Sequence, residues 1–254
     1  MPAAVSGAAL GANAANPAPR AILDLRYSYL RNNADNQRQR LSDFLQKSVM
    51  PAMKRAGGGP FGVFQSNVAP DSPFILTLIS YPSLAAMEEI TNKLNADEEF
   101  TKALEAMNAM PGLPYQRQQR MLLRGFPSMP QIEVPPQGEG RRGGRLFEIR
   151  TYESNTASTL RRKIGMFDNG EIAIFRKSGM TPVFFGETLV GPKMPNLTYM
   201  LAYDDMAHRE KCWRAFGSDP EWAKLRATPG LSDPEVVSNI SNFFVSPLAF
   251  SQIR

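Results

Sequence analysis

One order of predicted elements, strand, helix, strand, strand, helix, strand, occurs twice along the 254-residue chain. This repetition limits the fold more than any single motif does. The two halves also share short sequence matches: DLR at 24–26 corresponds to EIR at 148–150, and GVF at 62–64 resembles PVF at 182–184. A repeated order of elements at this spacing indicates two copies of one structural unit.

The predicted first unit spans residues 21–126 and the second spans 146–254. Alternating and apolar segments predict strands in both units, at 22–29, 61–66, 74–80, 117–124, 146–152, 181–189, 197–203 and 236–245. The Pro- and Gly-rich residues 127–145 are predicted to form an interdomain linker.

Helix starts and breaks follow from capping residues and prolines in the sequence. Asn33 or Asp35 is predicted to cap the first helix, and Ser83 to cap a helix that continues to about Met110. Pro51 is expected to kink or shorten the first helix because proline has no backbone N–H to donate.

The order β-α-β-β-α-β is that of a ferredoxin-like unit, so the predicted fold class is α+β. Both helices of such a unit cover one face of its sheet, and the other face stays bare. Two bare faces bury each other when two sheets pack together. We therefore predict tandem ferredoxin-like domains packed sheet to sheet as a barrel, closed either within one chain or between chains.

The first strand of each unit carries the predicted binding site. Because side chains alternate along a strand, Leu23, Leu25, Phe147 and Ile149 are predicted to face the helices. The polar set is predicted to face the space between the sheets: Asp24, Arg26, Glu148, Arg150 and Tyr152.

Two interpretations of this polar set remain open. In the favoured one, acids and arginines satisfy each other at a structural seam. In the other, Arg26 and Arg150 hold a carboxylate or a similar anion in a polar pocket.

Metal and cofactor sites find little support in the composition. His208 is the one histidine and Cys212 the one cysteine, which excludes a multi-histidine metal site, a cysteine cluster and an intrachain disulfide. His208 is predicted to lie on the surface at a helix start, and Cys212 to pack in a core. We predict no metal and no cofactor.

The charge pattern does not favour nucleic acid as a partner. The net charge is +5, but arginines are dispersed, and the one dense cluster, RRGGR at 141–145, lies in the linker. No segment approaches the roughly 20 apolar residues of a membrane span. The Ala-rich residues 1–20 contain an A-x-A site at 12–14, which predicts either an export-signal remnant of a periplasmic protein or a disordered tail of a cytoplasmic one.

Residues 146–250 resemble the NIPSNAP family. The resemblance rests on EIRTY at 148–152, PVFFG at 182–186 followed by GP, YMLAYD at 199–204, and the HREK and DPEW segments that begin at 208 and 219. The first half lacks HREK and DPEW and matches only in outline. The resemblance implies a dimeric α+β barrel and frequent tandem or dimeric pairing, so a homo-oligomer is expected.

The resemblance supplies no catalytic residues, and the sequence leaves open whether the protein is an enzyme. The leading hypothesis is a NIPSNAP protein that binds a small ligand or a partner between its two sheets. One alternative is a cofactor-independent monooxygenase or isomerase that acts inside the barrel. Another is a non-catalytic assembly or adaptor protein.

Overall fold

The computed structural model describes residues 19–31, 36–136 and 144–254. The predicted export signal or tail, apart from residues 19–20, lies outside the described residues. So do the candidate caps Asn33 and Asp35 and the central part of the linker, residues 137–143.

Strands occupy the positions that the alternation predicts. They are β1 (Ile22–Tyr29), β2 (Phe61–Val68), β3 (Phe74–Tyr81), β4 (Arg117–Gly125), β5 (Leu146–Glu153), β6 (Thr181–Val190), β7 (Asn196–Tyr203) and β8 (Asn239–Pro247). The last strand starts later than predicted because residues 233–236 form a short helix that Ser232 and Glu235 cap.

The helices occupy the predicted intervals but divide more often than expected. They are α1 (Gln37–Phe44), α2 (Met50–Ala56), α3 (Leu84–Ala96), α4 (Glu98–Ala109), α5 (Ala157–Met166), α6 (Ile172–Lys177), α7 (Met206–Gly217), α8 (Pro220–Arg226) and α9 (Asp233–Val236). A π-helical turn at Leu45–Val49 joins α1 to α2. A kink at Phe167–Glu171, where Asn169 and Gly170 have non-helical backbone angles, separates α5 from α6.

The α-helix is interrupted next to Pro51, where a kink or shortening is predicted: a π-helical turn at Leu45–Val49 precedes α2, and Pro51 lies in the first turn of α2, where a missing N–H is tolerated. One helix prediction is wrong in detail. The single helix predicted from Ser83 divides at Asp97, whose backbone is extended. The Asp97 carboxylate accepts a hydrogen bond from the Phe100 N–H at 2.9 Å, so this residue caps α4.

The eight strands close into one barrel within a single chain, in the order β1-β3-β2-β8-β5-β7-β6-β4. All neighbouring strands are antiparallel. Each half contributes four strands in the same spatial order, namely last, first, third, second. Because one chain closes the barrel, no second chain is needed to cover a bare sheet face or a free sheet edge.

The barrel interior is an apolar core, and this overturns the predicted orientation of the first strands. Leu23, Leu25, Phe147 and Ile149 are at most 1% exposed and belong to the interior cluster, not to the helix side. The polar set faces outward, beneath the helices. Alternation determines which residues share a face of the strand, but not which face points into the barrel and which points towards the helices. The interior offers charged groups no partners, whereas helix side chains reach the outer face.

No helix in the described parts of the chain is long and apolar enough to cross a bilayer.

Candidate functional site

In the second half, Glu148 is the centre of a buried ionic cluster on the outer face of the sheet. Its side chain is 0% exposed, and its two oxygens accept hydrogen bonds from Arg209 at 2.9 and 2.8 Å and from Arg150 at 2.8 Å. The Trp213 indole N–H and the Asn242 amide also donate to it, at 3.2 and 2.9 Å. Burial alone would raise the pKa of the Glu148 carboxyl, but Arg209 and Arg150 outweigh burial and lower that pKa.

Aromatic side chains seal this cluster. The Arg150 guanidinium lies 4.5 Å from the centre of the Trp213 ring and 5.6 Å from that of Tyr152. The Tyr199 hydroxyl donates to the Tyr152 hydroxyl at 2.8 Å, and the Phe185 and Tyr199 rings stack at 5.1 Å. The space between this sheet and its helices is therefore filled.

In the first half, Asp24 takes the place of Glu148. It is also 0% exposed, and it accepts hydrogen bonds from Arg120 Nε and Nη2 at 2.7 and 2.6 Å. This hydrogen bonding raises the pKa of Arg120. Arg26 lies 3.6 Å from Asp24, and the Arg26 and Arg120 side chains are 39% and 42% exposed.

A cavity of about 440 Å³ opens beside these arginines, between the outer face of the first-half sheet and helices α1–α4. We call it the first-half cavity. Its polar lining residues are Arg26, Ser28, Thr77, Tyr81, Thr91, Asn95, Asn108, Tyr115, Gln118 and Arg120. Its apolar lining comes mainly from the helices and includes Leu41, Phe44, Leu45, Val49, Met53, Leu94, Phe100, Leu104 and Met107.

Strand register explains why this cavity lies in the first half, at positions whose counterparts in the second half are aromatic. Arg26 pairs with Thr77 across β1 and β3, and Arg150 pairs with Tyr199 across β5 and β7. Thr77 therefore occupies the position of Tyr199, with a much smaller side chain.

At two further positions, too, the first half has a small residue where the second half has an aromatic one. Val63 pairs with Thr77, and Phe185 occupies the matching position beside Tyr199. Ser28 follows Arg26 by two residues, as Tyr152 follows Arg150. Three aromatic side chains that fill the second half are thus small in the first half.

Polar contacts hold the helices above the cavity. Arg40 on α1 donates to the carbonyl oxygens of Met107 and, at 2.9 Å, of Pro111, which satisfies acceptors at the C-terminal end of α4. Arg55 on α2 pairs with Asp97 at 2.7 Å, at the start of α4.

The structure does not bring the five predicted site residues together. Asp24 and Arg26 lie by the first-half cavity, whereas Glu148, Arg150 and Tyr152 lie in the sealed cluster, with the apolar barrel interior between the two sets. A shallower space of about 230 Å³, lined in part by Tyr27, Phe74 and Phe243, opens at one end of the barrel.

Sequence reasoning missed Arg120 and Arg209, the residues that hold the two buried acids. Arg120 lies in a correctly predicted strand, so alternation could have placed it on a face. Its pairing with Arg26 across β1 and β4 required the register.

The described residues contain no cluster of histidine, cysteine, aspartate and glutamate that could hold a metal ion. His208 lies in the first turn of α7, where its Nδ1 accepts a hydrogen bond from the Asp204 N–H at 3.2 Å. Cys212 is buried, as predicted, and burial raises the pKa of its thiol. A thiol in this setting is a packing group and not an activated nucleophile.

Comparison with known structures places the barrel in a known fold class. A protein from Lactobacillus acidophilus NCFM, provisionally named a monooxygenase, aligns over 90% of this chain and 94% of its own, with a TM-score of 0.60 and 10% identity. An anthrone oxidase-like protein aligns over 90% and 92%, with a TM-score of 0.51 and 12% identity. At these identities the similarity establishes the fold alone, an α+β barrel of the dimeric type.

The sequence comparisons concern the second half. The NIPSNAP family model matches residues 147–252, and no curated protein matches the chain. A NIPSNAP-like domain protein from Burkholderia xenovorans aligns over 42% of this chain and 88% of its own, with a TM-score of 0.38 and 20% identity. The family match is therefore confined to residues 147–252, and the first half lies outside it.

Proposed function

We propose that this NIPSNAP-domain protein binds a small molecule in the first-half cavity, and not between its sheets. One observation carries the proposal: Ser28 and Thr77 stand at the positions of Tyr152 and Tyr199, and both line a cavity. About 440 Å³ falls within the range of roughly 300–1,000 Å³ that is usual for small-molecule sites. The barrel interior, by contrast, is occupied by buried apolar side chains.

We further propose that the two halves are tandem ferredoxin-like domains, residues 21–126 and 146–254, joined by the linker 127–145. The shared spatial order of strands and the paired acid–arginine clusters support this division. In this scheme the space between sheet and helices is filled in the second domain and contains a cavity in the first domain.

The residues that line the first-half cavity favour ligand binding over a reaction that begins with proton abstraction. The lining residues that the structure describes include no histidine, aspartate or glutamate. Burial raises the pKa of Tyr81 to about 12, so its hydroxyl remains protonated at neutral pH. A cofactor-independent oxygenase or isomerase would need a general base at its substrate. That alternative lacks a side chain for this role in the first-half cavity.

A neutral fluorescent probe, N-phenyl-1-naphthylamine, tests whether the cavity binds apolar compounds. We expect saturable fluorescence enhancement with the wild-type protein. Thr77→Tyr places the bulk of Tyr199 at the equivalent position and should weaken probe binding about ten-fold or more, because the ring occupies the cavity. Leu94→Trp fills the same space from α3 and should act in the same direction.

Thr228→Tyr is the matched control, because it adds the same ring at an exposed position in the second half. Circular dichroism and the unfolding midpoint establish that each variant is folded. Equal probe affinity in wild type, Thr77→Tyr and Leu94→Trp would refute the cavity as the binding site.

A further inference from the structure

We propose that the ligand of the first-half cavity is an amphipathic anion, whose oxyanion head group binds Arg26 and Arg120 and whose apolar body lies against the helices. This inference rests on the proposed function, since it names the ligand class of the same cavity. It follows from the charge balance of the site, from its unused donors and from the division between polar and apolar lining.

The charge balance leaves one positive charge at the cavity wall. Arg26 and Arg120 share the single carboxylate of Asp24. No acidic side chain belongs to the cavity lining that the structure describes. An anionic head group would offset this surplus, and a carboxylate or a phosphate monoester fits the planar fork of a guanidinium.

The second half contains the same three charges but covers its surplus cation. Arg150 lies against the Trp213 ring and donates to Glu148, with only 12% of its side chain exposed. In the first half, no aromatic ring of the described chain lies over Arg26 or Arg120. The positive charge that aromatic packing stabilises in one half faces a cavity in the other.

The two arginines also retain hydrogen-bond donors. Arg120 uses Nε and Nη2 for Asp24. Arg26 makes an ion pair at 3.6 Å, and no side-chain hydrogen bond of Arg26 occurs within residues 19–31, 36–136 and 144–254. A guanidinium carries five N–H donors, so this pair can donate to a ligand without releasing Asp24.

The charged groups of the cavity lie on the sheet wall, and most of the apolar groups lie on the helix wall, which also carries Thr91, Asn95 and Asn108. Ser28, Thr77 and Gln118 accompany the arginines on the sheet, and Gln118 donates to Ser28 at 2.9 Å. The helices contribute chiefly apolar side chains, among them Leu41, Phe44 and Leu104. A molecule with a charged end and a mainly apolar body matches both walls at once, whereas a uniformly polar ligand would leave most of its polar groups facing the apolar side chains of the helices.

Displacement of bound N-phenyl-1-naphthylamine by compounds of equal chain length tests the inference. Decanoate and decyl phosphate carry the two candidate head groups, and decanol is the uncharged match. We expect at least one anion to displace the probe at about ten-fold lower concentration than decanol. A ten-fold difference is the low end of what a charge-assisted hydrogen bond contributes, and we expect the low end because both arginines are partly exposed. Which anion is preferred identifies the head group.

Arg26→Met tests the residue assignment. It removes one cation and leaves both hydrogen bonds from Arg120 to Asp24 in place, so the fold is expected to persist. The ratio of anion to decanol affinity should fall at least about three-fold. Arg26→Lys should retain part of the advantage. Arg214→Met, which removes an arginine with 74% side-chain exposure on α7, should leave the ratio unchanged.

Each outcome separates this inference from the proposed function. If the probe binds but neither anion outcompetes decanol, the ligand class is wrong and the cavity stands. The same conclusion follows if the ratio of anion to decanol affinity is the same in Arg26→Met and in the wild type. It also follows if Arg214→Met lowers this ratio as much as Arg26→Met does. If the probe does not bind the wild-type protein, the proposed function itself fails.

Discussion

The two halves of the barrel contain the same ionic unit in different surroundings. In each, a fully buried acid on the first strand is held by two arginines. In the second half, Trp213, Tyr152 and Tyr199 close over it, whereas in the first half a cavity lies beside it. The difference shows that the charged residues of the first strands do not determine which half contains a cavity. The size of the uncharged neighbours does.

The sequence signature of the NIPSNAP domain serves packing in the second half. Arg209, within HREK, supplies two of the hydrogen bonds to Glu148. Asp219, within DPEW, accepts hydrogen bonds from the Glu221 and Trp222 N–H groups and caps α8. These motifs hold α7 and α8 against the sheet, so the residues that identify the domain are also those that close it.

The largest effect is expected from removing the charge of Glu148. Glu148→Gln leaves Arg150 and Arg209 without their carboxylate in a buried setting, which should lower the free energy of unfolding by about 3 kcal/mol. Asp24→Asn should cost less, about 1–2 kcal/mol, because Arg26 and Arg120 can turn towards water. Urea unfolding of both variants tests this order, and a larger loss for Asp24→Asn would contradict the contrast between a sealed and an open half.

A second prediction transfers the first-half residue into the second half. Tyr199→Thr removes a ring at 0% exposure together with its hydrogen bond to Tyr152, and should lower the free energy of unfolding by about 2–3 kcal/mol. The reciprocal change, Thr77→Tyr, enters an existing cavity and should cost less than about 1 kcal/mol. Equal losses in the two variants would mean that the first half is as tightly filled as the second.

The two arginines of the first strands provide a third comparison. Arg150→Met should lower the free energy of unfolding by about 1–2 kcal/mol, because a buried carboxylate and the Trp213 face lose a partner. Arg26→Met should change it by less than about 0.5 kcal/mol, as is typical of partly exposed ion pairs. Thermal unfolding of both variants measures the difference, and similar shifts in midpoint would remove the distinction.

The smallest expected effect concerns acid stability. The pKa of Glu148 in the folded protein lies below its ordinary value of 4.5, so the folded state binds this proton less tightly than the unfolded state. The resulting stability is fully present above about pH 4.5 and is lost as the pH falls through the folded pKa. Glu148→Gln should therefore show a flatter loss of stability than wild type between about pH 5 and pH 3. If urea titrations show the same pH dependence of the free energy of unfolding in Glu148→Gln and in wild type, the lowered pKa of Glu148 is contradicted.

Much of the fold could be predicted because strand alternation and capping are local. The strands at 22–29 and 197–203, and the helix start at Ser83, are where these signals indicate. The break at Asp97 was missed because periodicity continues across it, and only the cap geometry reveals the interruption.

The candidate site could be predicted only in part. Alternation places Asp24 and Arg26 on one face of β1, but the predicted side of the sheet is wrong, because the inner and outer faces are both buried and alternation does not distinguish them. The cavity itself depends on register, since only the pairing of Arg26 with Thr77 and of Arg150 with Tyr199 shows that small residues stand in for aromatic ones. Such pairing is not local, and no single segment of the sequence contains it.

The location of a bound anion tests the central claim most directly. A crystal structure of the protein with saturating decanoate should show the carboxylate on Arg26 and Arg120 and the chain between the first-half sheet and α1–α4, with the second-half cluster unchanged. Decanoate at the open end of the barrel or in the second half, beside an empty first-half cavity, would contradict the claim that loss of aromatic filling created the binding site.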